Sequence, residues 1–523
     1  MKESELAGGF STLYAQLLEE SGEQLREPKP LCGEAGQGIR EELVRCLWFG
    51  THFRPDDLAT DDGRRLEVVS PGWWNVEAGP DFIRAELLIE GVGRVVGDVE
   101  VHTRASDWFA HGHASQPGYD GLVLHVVMWD DAEGRGIRLH SGRIVPQLTL
   151  APLVEQEIGD LVEIVDLESP APGEAAAPSV TGRYCGPALA AGEMSPEWLG
   201  GFLDCAGDHR VLTKADRMLG LREKASLEQV LYECVAEALG YRHNRLPFLQ
   251  LANALPLSLL RETVPADSST ADKRLVLEAL LFGVGGFLEG AEGADADEQT
   301  LEYLGRLRGE WAGAPEALRQ AHMGPAHWSL GATRPVNYPV RRIAALAAFY
   351  AEHLGSGLFG HLVRVISAAR AEGRRSLAGA CRRDLLGVFA GTGHPYWEQR
   401  CTFGGRKLRA PTALVGQERA QAIVVDVALP LLLAHSRAEG DEELARRLHL
   451  TWRSLRPRTP NSIVRRMEQV LFQDPRQART VLCSERRQQG LHQLHRDFCS
   501  GDSGCTACLL YRVHRVGRRM ELT

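Results

Sequence analysis

The sequence is informative first for what it lacks. No apolar run approaches the roughly 18 residues that span a bilayer. The start, MKESELAGGFSTLYAQLLEE, carries acids where a secretory leader has a basic and then an apolar stretch. There is no GxxxxGK[S/T] phosphate loop, no glycine-rich dinucleotide fingerprint after a strand and no G-x-S-x-G nucleophile elbow. No repeat at solenoid periods is seen either. These absences argue against a membrane protein, against ATP or NAD as cofactors and against serine-hydrolase chemistry. They lead to the expectation of a cytoplasmic protein.

What is present is ordinary in bulk and uneven in detail. The 523 residues are too many for one core and predict two or three domains. A composition of 44% hydrophobic and 24% charged residues is that of a soluble globular chain. Eleven cysteines, an odd number, read mostly as buried thiols in a reducing compartment. The net charge of −10 argues against a protein that coats nucleic acid. From Thr451 onward, however, 14 Arg and no Lys stand against 6 acids, a local balance of 14 − 6 = +8. Such a patch marks a nucleic-acid binder, or an Arg-rich tail paired internally with the acidic remainder.

Residues 41–49, EELVRCLWF, have helical spacing with Leu43, Leu47 and Trp48 inward. Strand-like runs follow in RRLEVVS, GLVLHVVMW and RIVPQLTL. Residues 1–160 are therefore expected to form an α/β domain. The Pro-, Ala- and acid-rich stretch at 161–183 reads as a linker, and residues 184–523 as a mostly α-helical region.

Residues 79–102, GPDFIRAELLIEGVGRVVGDVEVH, predict a β-hairpin turned at EGVG. Alternation along a strand puts Asp98, Glu100, His102 and Arg104 on one face, and Asp81 enters the neighbouring strand. Carboxylates converging there repel one another unless a cation sits between them. Oxygen ligands of this kind suit Mg²⁺ or Mn²⁺, which activate water and offset phosphate charge.

Pro80-Asp81 followed across a hairpin by Glu100-Val101-His102 resembles the signature of the PD-(D/E)XK nuclease superfamily. That resemblance implies a restriction-endonuclease-like central sheet flanked by helices, and catalytic roles for Asp81 and Glu100. His102 stands where the pattern has Lys, so His102 or Arg104 would take that part. An acid from the preceding helix, Glu42 or its neighbour Glu41, would assist. The next stretch, HTRASDWFAHGH, adds His111 and His113, whose H-x-H spacing suits two ligands to one metal. His125, inside LVLHVV, reads as a core histidine. Ser106-Asp107-Trp108 reads as a helix N-cap with an aromatic anchor.

GWWNVEAGPDF, GDVEVHTRASDWFAHGH and YDGLVLHVV, with ALGYRHNRLPFLQLANALPL and TRPVNYPVRRIAALAAF later on, are similar to the bacterial domain-of-unknown-function family 2851. The similarity implies that the N-terminal domain and the helical region form one working unit. It implies no activity.

Near the end, Cys499, Cys505 and Cys508 make a C-x5-C-x2-C arrangement, a spacing that binds Zn²⁺ or an iron–sulfur cluster such as [4Fe–4S]. Cys483, His492, His495 and His514 are candidates for a fourth ligand. Some PD-(D/E)XK nucleases carry such a cysteine clasp, with the spacing in the reverse order. Arg334, Arg341 and Arg342, around two prolines, are candidate phosphate contacts. The leading expectation is thus a metal-dependent nuclease, DNA ahead of RNA. The alternatives are a non-catalytic nucleic-acid- or protein-binding module on a degenerate nuclease fold, and a His/carboxylate metallohydrolase.

Overall fold

Residues 82–104 fold into the hairpin that their alternation predicts, and the rest of a sheet assembles on it. The computed structural model describes residues 9–20, 41–49, 58–75, 79–132, 136–153, 185–222, 225–291, 296–320, 323–324, 327–329, 334–371, 376–472, 474–499 and 508–515. The chain divides into two compact units, residues 26–169 and residues 1–25 with 170–523.

In the first unit, helix α2 (Glu41–Phe49) precedes strands β1 (Leu66–Ser70), β2 (Trp73–Trp74), β3 (Phe82–Ile89) and β4 (Gly93–Arg104). Helix α1 (Leu13–Glu20) belongs to the other unit. After β4 comes a crossover through the short helix α3 (Asp107–Ala110), then β5 (Leu122–Trp129), β6 (Ile137–Arg138), β7 (Ile144–Val145) and β8 (Gln147–Thr149). The main sheet runs β1-β3-β4-β5-β8, with β2 added to β3. Its first pairings are antiparallel, while β4-β5 and β5-β8 are parallel, so the sheet is mixed. Residues 143–150, expected as one strand, split at Pro146. With no N–H to give, proline interrupts the ladder. β7 pairs with β6 in a separate ribbon, and β8 joins the main sheet.

On α2, Val44, Leu47 and Trp48 are buried, and Trp48 Nε1 donates to the Pro71 carbonyl at 3.0 Å. Both faces of β4 are buried from Val99 to His102, as parallel neighbours covered on two sides require. The acid face of β4 is thus not a solvated strand surface. Beside it, the register of β3 against β4 slips between Phe82 and Ala85. Arg84 takes a positive φ of 56° there, and the slip forms a bulge of the kind that re-aims neighbouring side chains.

The second unit is mostly helical. Its long helix α4 (Pro196–Arg222) lies along the helix Glu485–Leu494. A Cβ on Gly490 would fall 2.1 Å from the Leu203 carbonyl oxygen, so glycine permits the close approach. α1 docks on α4 through Ser11 N–H to Asp208 Oδ2 at 2.8 Å. Residues 417–439 form one continuous helical stretch whose length and composition would suffice to cross a membrane, a property that a search for unbroken apolar runs passes over; 78% of its apolar window is buried inside the protein. Pro430 cannot donate within that stretch, and the turn Val424–Ala428 before it widens to a π-helix.

Candidate functional site

The site begins where β3 enters the hairpin. Asp81 N–H donates to Glu100 Oε2 at 3.0 Å, and Val101 N–H donates to Asp81 Oδ2 at 2.9 Å. Each acid thus holds the backbone beside the other, which fixes two carboxylates at the mouth of β3 and β4. Both are buried. The second Asp81 oxygen, Oδ1, lies 2.7 Å from Arg45 NH2 on α2, and Arg45 also pairs with Glu41 one turn earlier. Asp81 is therefore fully engaged. Glu100 keeps one oxygen, Oε1, turned toward histidines: 3.6 Å from His102 Nε2 and 3.4 Å from His113 Nε2.

A chain of hydrogen bonds fixes what that oxygen faces. Asp61 is an acceptor for Thr149 N–H and Thr149 Oγ1, and for Gln147 Nε2 at 2.8 Å. Gln147 must therefore turn its carbonyl Oε1 to His125 Nδ1, 3.0 Å away, and an amide oxygen accepts only. His125 is thereby protonated at Nδ1 and accepts at Nε2. Its partner is His102 Nδ1, 2.9 Å away, which must donate. The His102 Nε2 lone pair is left pointing at the Glu100 carboxylate. Two acceptors face each other across 3.6 Å, and either the proton that a raised Glu100 carboxyl retains or a metal cation can bridge them.

The crossover after β4 brings further donors. Gly112, with φ +70°, turns the chain between His111 and His113 at a conformation costly for any other residue. Trp108 and Tyr119 pack in a small apolar cluster with Leu122 and Ile137, and His113 lies against the Tyr119 ring at 4.3 Å between centroids. As a result His102, His111 and His113 each present one ligand atom within 4.8 Å of the others. His102 is buried, His113 half-buried and His111 exposed, so the cluster opens to solvent on one side. Imidazoles with one carboxylate are the donor set of Zn²⁺, Fe²⁺ or Mn²⁺ more than of Mg²⁺, which prefers oxygen. The second contact of His102, to His125, is the kind that orients metal-bound histidines.

Electrostatics agree with the geometry. Burial raises the Asp81 carboxyl, against the pull of Arg45. Burial and then the Asp81 charge raise Glu100. Burial, followed by the neighbouring His125, His113 and His111, pushes His102 down to about 2. His102 is neutral, so it cannot supply the positive charge that a Lys would bring. A positive charge beside the acids is carried by Arg45, which reasoning along the strand missed; its i, i+4 spacing from Glu41 on an amphipathic helix was the available signal.

Other expected residues lie elsewhere. Asp98 Oδ1 accepts from Arg84 N–H at 3.2 Å and caps the bulge instead of joining the carboxylate pair. Arg104 faces Asp131 at 3.9 Å rather than the acids. Ser106 makes no side-chain cap; its hydroxyl donates to Asp131 at 2.8 Å. The side chain of Glu42 lies outside what the structure describes, and the described helix acid that reaches the pair, through Arg45, is Glu41. Arg334 is exposed. Arg341 and Arg342 are not phosphate contacts: both are buried. Arg341 donates to the carbonyls of Arg400 at 2.8 Å and Thr412 at 2.9 Å, and Arg342 to Leu414. Their charge stitches residues 397–414 to the helix Pro339–His353. Cys483 is exposed and Cys499 buried, while Cys505 lies outside the described residues.

A mixed sheet carrying a buried carboxylate–histidine cluster, joined in one chain to a large helical unit, defines the class. The chain belongs to the family described as Protein of unknown function (DUF2851), which it matches over residues 41–461. No curated protein and no solved structure matches it.

Proposed function

We propose that the sheet unit is a metal-dependent phosphodiester hydrolase acting on nucleic acid, DNA ahead of RNA, with Glu100, His102, His111 and His113 as metal ligands. The observation that carries this is the His102 Nε2 lone pair held toward Glu100 Oε1 by a hydrogen-bond chain of fixed polarity. A divalent ion there would lower the pKa of a bound water and offset charge on a phosphate. Asp81 and Arg45 position Glu100, and exposed His111 marks the side from which substrate enters. The nucleic-acid substrate rests on the Pro80-Asp81…Glu100-x-His102 pattern and on the sheet order. Helix α2, two antiparallel pairings and a parallel crossover agree with the restriction-endonuclease-like arrangement.

One observation favours a second reading, a binding module that kept the fold without hydrolysis. Both Asp81 oxygens are already taken, by Arg45 and by Val101 N–H, whereas the nuclease pattern turns that acid to the metal. A single experiment separates the readings. Metal-stripped protein is titrated with Mn²⁺, Zn²⁺ or Mg²⁺ and given labelled single- and double-stranded DNA and RNA, wild type beside Glu100→Gln and His102→Ala. The expected result is cleavage with Mn²⁺ or Zn²⁺ ahead of Mg²⁺, reduced at least about 100-fold in both variants. Equal nucleic-acid binding by all three proteins with no cleavage under any metal would sink the hydrolase and leave the module. Cleavage of small phosphodiesters but not of polymers would make it a metallohydrolase of the smaller kind.

A further inference from the structure

Two adjoining segments of the helical unit carry charge almost entirely of one sign. Residues 392–415 hold Arg400, Arg406, Lys407 and Arg409 against one acid, Glu398. Residues 334–342 add Arg334, Arg341 and Arg342 and no acid. Asp297 pairs with Arg400 and has Lys407 as a charged neighbour. Counting it leaves a local balance of 7 − 2 = +5 in a chain of net charge −10. Glu278, 2.9 Å from His394, is answered by Arg274 at 3.9 Å.

The buried members of this group hold the exposed ones in place. Arg341 donates to the carbonyls of Arg400, Thr412 and Ala413 at 2.8, 2.9 and 3.2 Å. Arg342 donates to the Leu414 carbonyl and, at 3.3 Å, to that of Val336, which draws the turn Pro335–Asn337 beside the loop. Carbonyls satisfy a guanidinium without cancelling its charge, and a buried charge is weakly screened. The tip between is braced: Gly404 N–H donates to the Tyr396 hydroxyl at 3.0 Å, and Leu408 and Thr412 N–H donate to the carbonyls of Gln399 and Glu398. The Phe403 ring packs 4.7 Å from that of Trp397. On this tip Arg406, Lys407 and Arg409 are exposed, and their side chains make no hydrogen bond or ion pair among the described residues. No large apolar side chain of the loop is exposed, whereas protein interfaces centre on apolar anchors. Phosphates need only charge and donors.

We propose that the loop at residues 400–409 of the helical unit grips a nucleic-acid backbone without regard to sequence, with Arg406, Lys407 and Arg409 on phosphates. This rests on the nucleic-acid substrate proposed above and assigns its capture to residues that take no part in the chemistry. Because the loop is already ordered, binding does not have to order it.

The test follows binding of labelled single- and double-stranded DNA to the full chain carrying Glu100→Gln, by anisotropy over a series of salt concentrations. Arg406→Ala/Lys407→Ala/Arg409→Ala should weaken binding roughly tenfold or more and flatten the slope of log K against log salt by about 2–3. Arg406→Lys/Arg409→Lys, which keeps the charges, should hold the slope. With Glu100 restored, the triple variant should hydrolyse a small phosphodiester at the parent rate. If no metal supports cleavage of any substrate and the triple variant still loses its DNA, the hydrolase falls and the grip stands. Four results would each overturn the assignment: a parent chain that binds no nucleic acid, a triple variant with unchanged affinity and slope, a triple variant that loses the small ester along with the polymer, or poly-glutamate displacing labelled DNA as well as unlabelled DNA of equal charge does.

Discussion

The buried carboxylates of the two units differ at one residue, Glu100. Among the described residues of the helical unit, each deeply buried acid meets a cation or a donor. Asp208 takes Arg486 Nε at 2.7 Å, Trp452 Nε1 at 2.8 Å and Ser11 N–H at 2.8 Å. Glu485 takes Arg458 NH2 at 2.8 Å, and Glu278 takes the Tyr303 hydroxyl at 2.8 Å and lies 2.9 Å from His394. In the sheet unit Glu100 is also buried, yet its second oxygen faces ring nitrogens, one of which presents a lone pair. A paired buried acid holds a fold together. A buried acid facing acceptors holds a place for something else. The same contrast explains the Arg-rich end: Arg458, Arg486 and Arg487 pair with Glu485, Asp208 and Asp204, so part of that positive balance is internal.

The sharpest way to break this comparison is to make the same edit in both places. Asp208→Asn leaves the buried Arg486 with only Asp204, 3.8 Å away, as counter-charge and should cost about 3 kcal/mol, read from urea unfolding of the metal-free protein. Glu100→Gln should cost little there, or add stability. Its carbonyl still accepts Asp81 N–H, and its amide can donate to the His102 lone pair. Equal losses in the two variants would mean that Glu100 is an ordinary structural acid.

The next test works through the chain behind His102. Gln147→Leu removes the acceptor that fixes the His125 tautomer, so His102 no longer has to present Nε2. Mn²⁺ or Zn²⁺ affinity, measured by calorimetric titration, should fall about 10–100-fold. Gln147→Glu combined with Asp61→Asn keeps an acceptor for His125 and returns a donor to the neighbouring oxygen, and should restore most of it. Unchanged affinity in Gln147→Leu would show that the relay does not orient the site.

This relay also marks where sequence reasoning ends. Helix α2, the hairpin and β5 were legible, because period 3.6 and period 2 are written locally in EELVRCLWF, AELLI and LVLHVVMW. Glu100, His102, His111 and His113 were legible as residue types close in sequence. The partnership of His102, His125, Gln147 and Asp61 was not, because it depends on the parallel register of β4, β5 and β8, and nothing local encodes that pairing. Nor does an Arg in a sequence say whether its guanidinium meets water or carbonyls, which is why Arg341 and Arg342 read as surface charge. Asp98 misled for another reason: alternation places it on the right face, but the bulge at Arg84 gives its carboxylate a backbone N–H to hold.

The smallest effect sharpens the comparison through pH. Asp81 and Glu100 carry raised folded pKa values, from burial first. Their contribution to stability is therefore complete below the unfolded value of about 4 and is lost as pH rises through the raised values. Asp426 in the helical unit is the reverse case: against burial, Lys214 and Arg458 hold it below the usual range, so its contribution is present above about 4 and lost only in acid. His102 and His125, both lowered mainly by burial, contribute fully above about 6.5 and lose that as pH falls. From pH 6.5 upward the carboxyl pair is thus the part that changes. Raising the pH from about 6.5 to 9 should destabilise the metal-free sheet unit and leave α4 unaffected, as followed by hydrogen exchange of β4 and of α4. A divalent ion competes with the proton on Glu100, so its protection of β4 should grow over the same range. Protection that stays flat with pH would mean that Glu100 is already ionised without metal, and the carboxylate would then need a cation other than the one proposed.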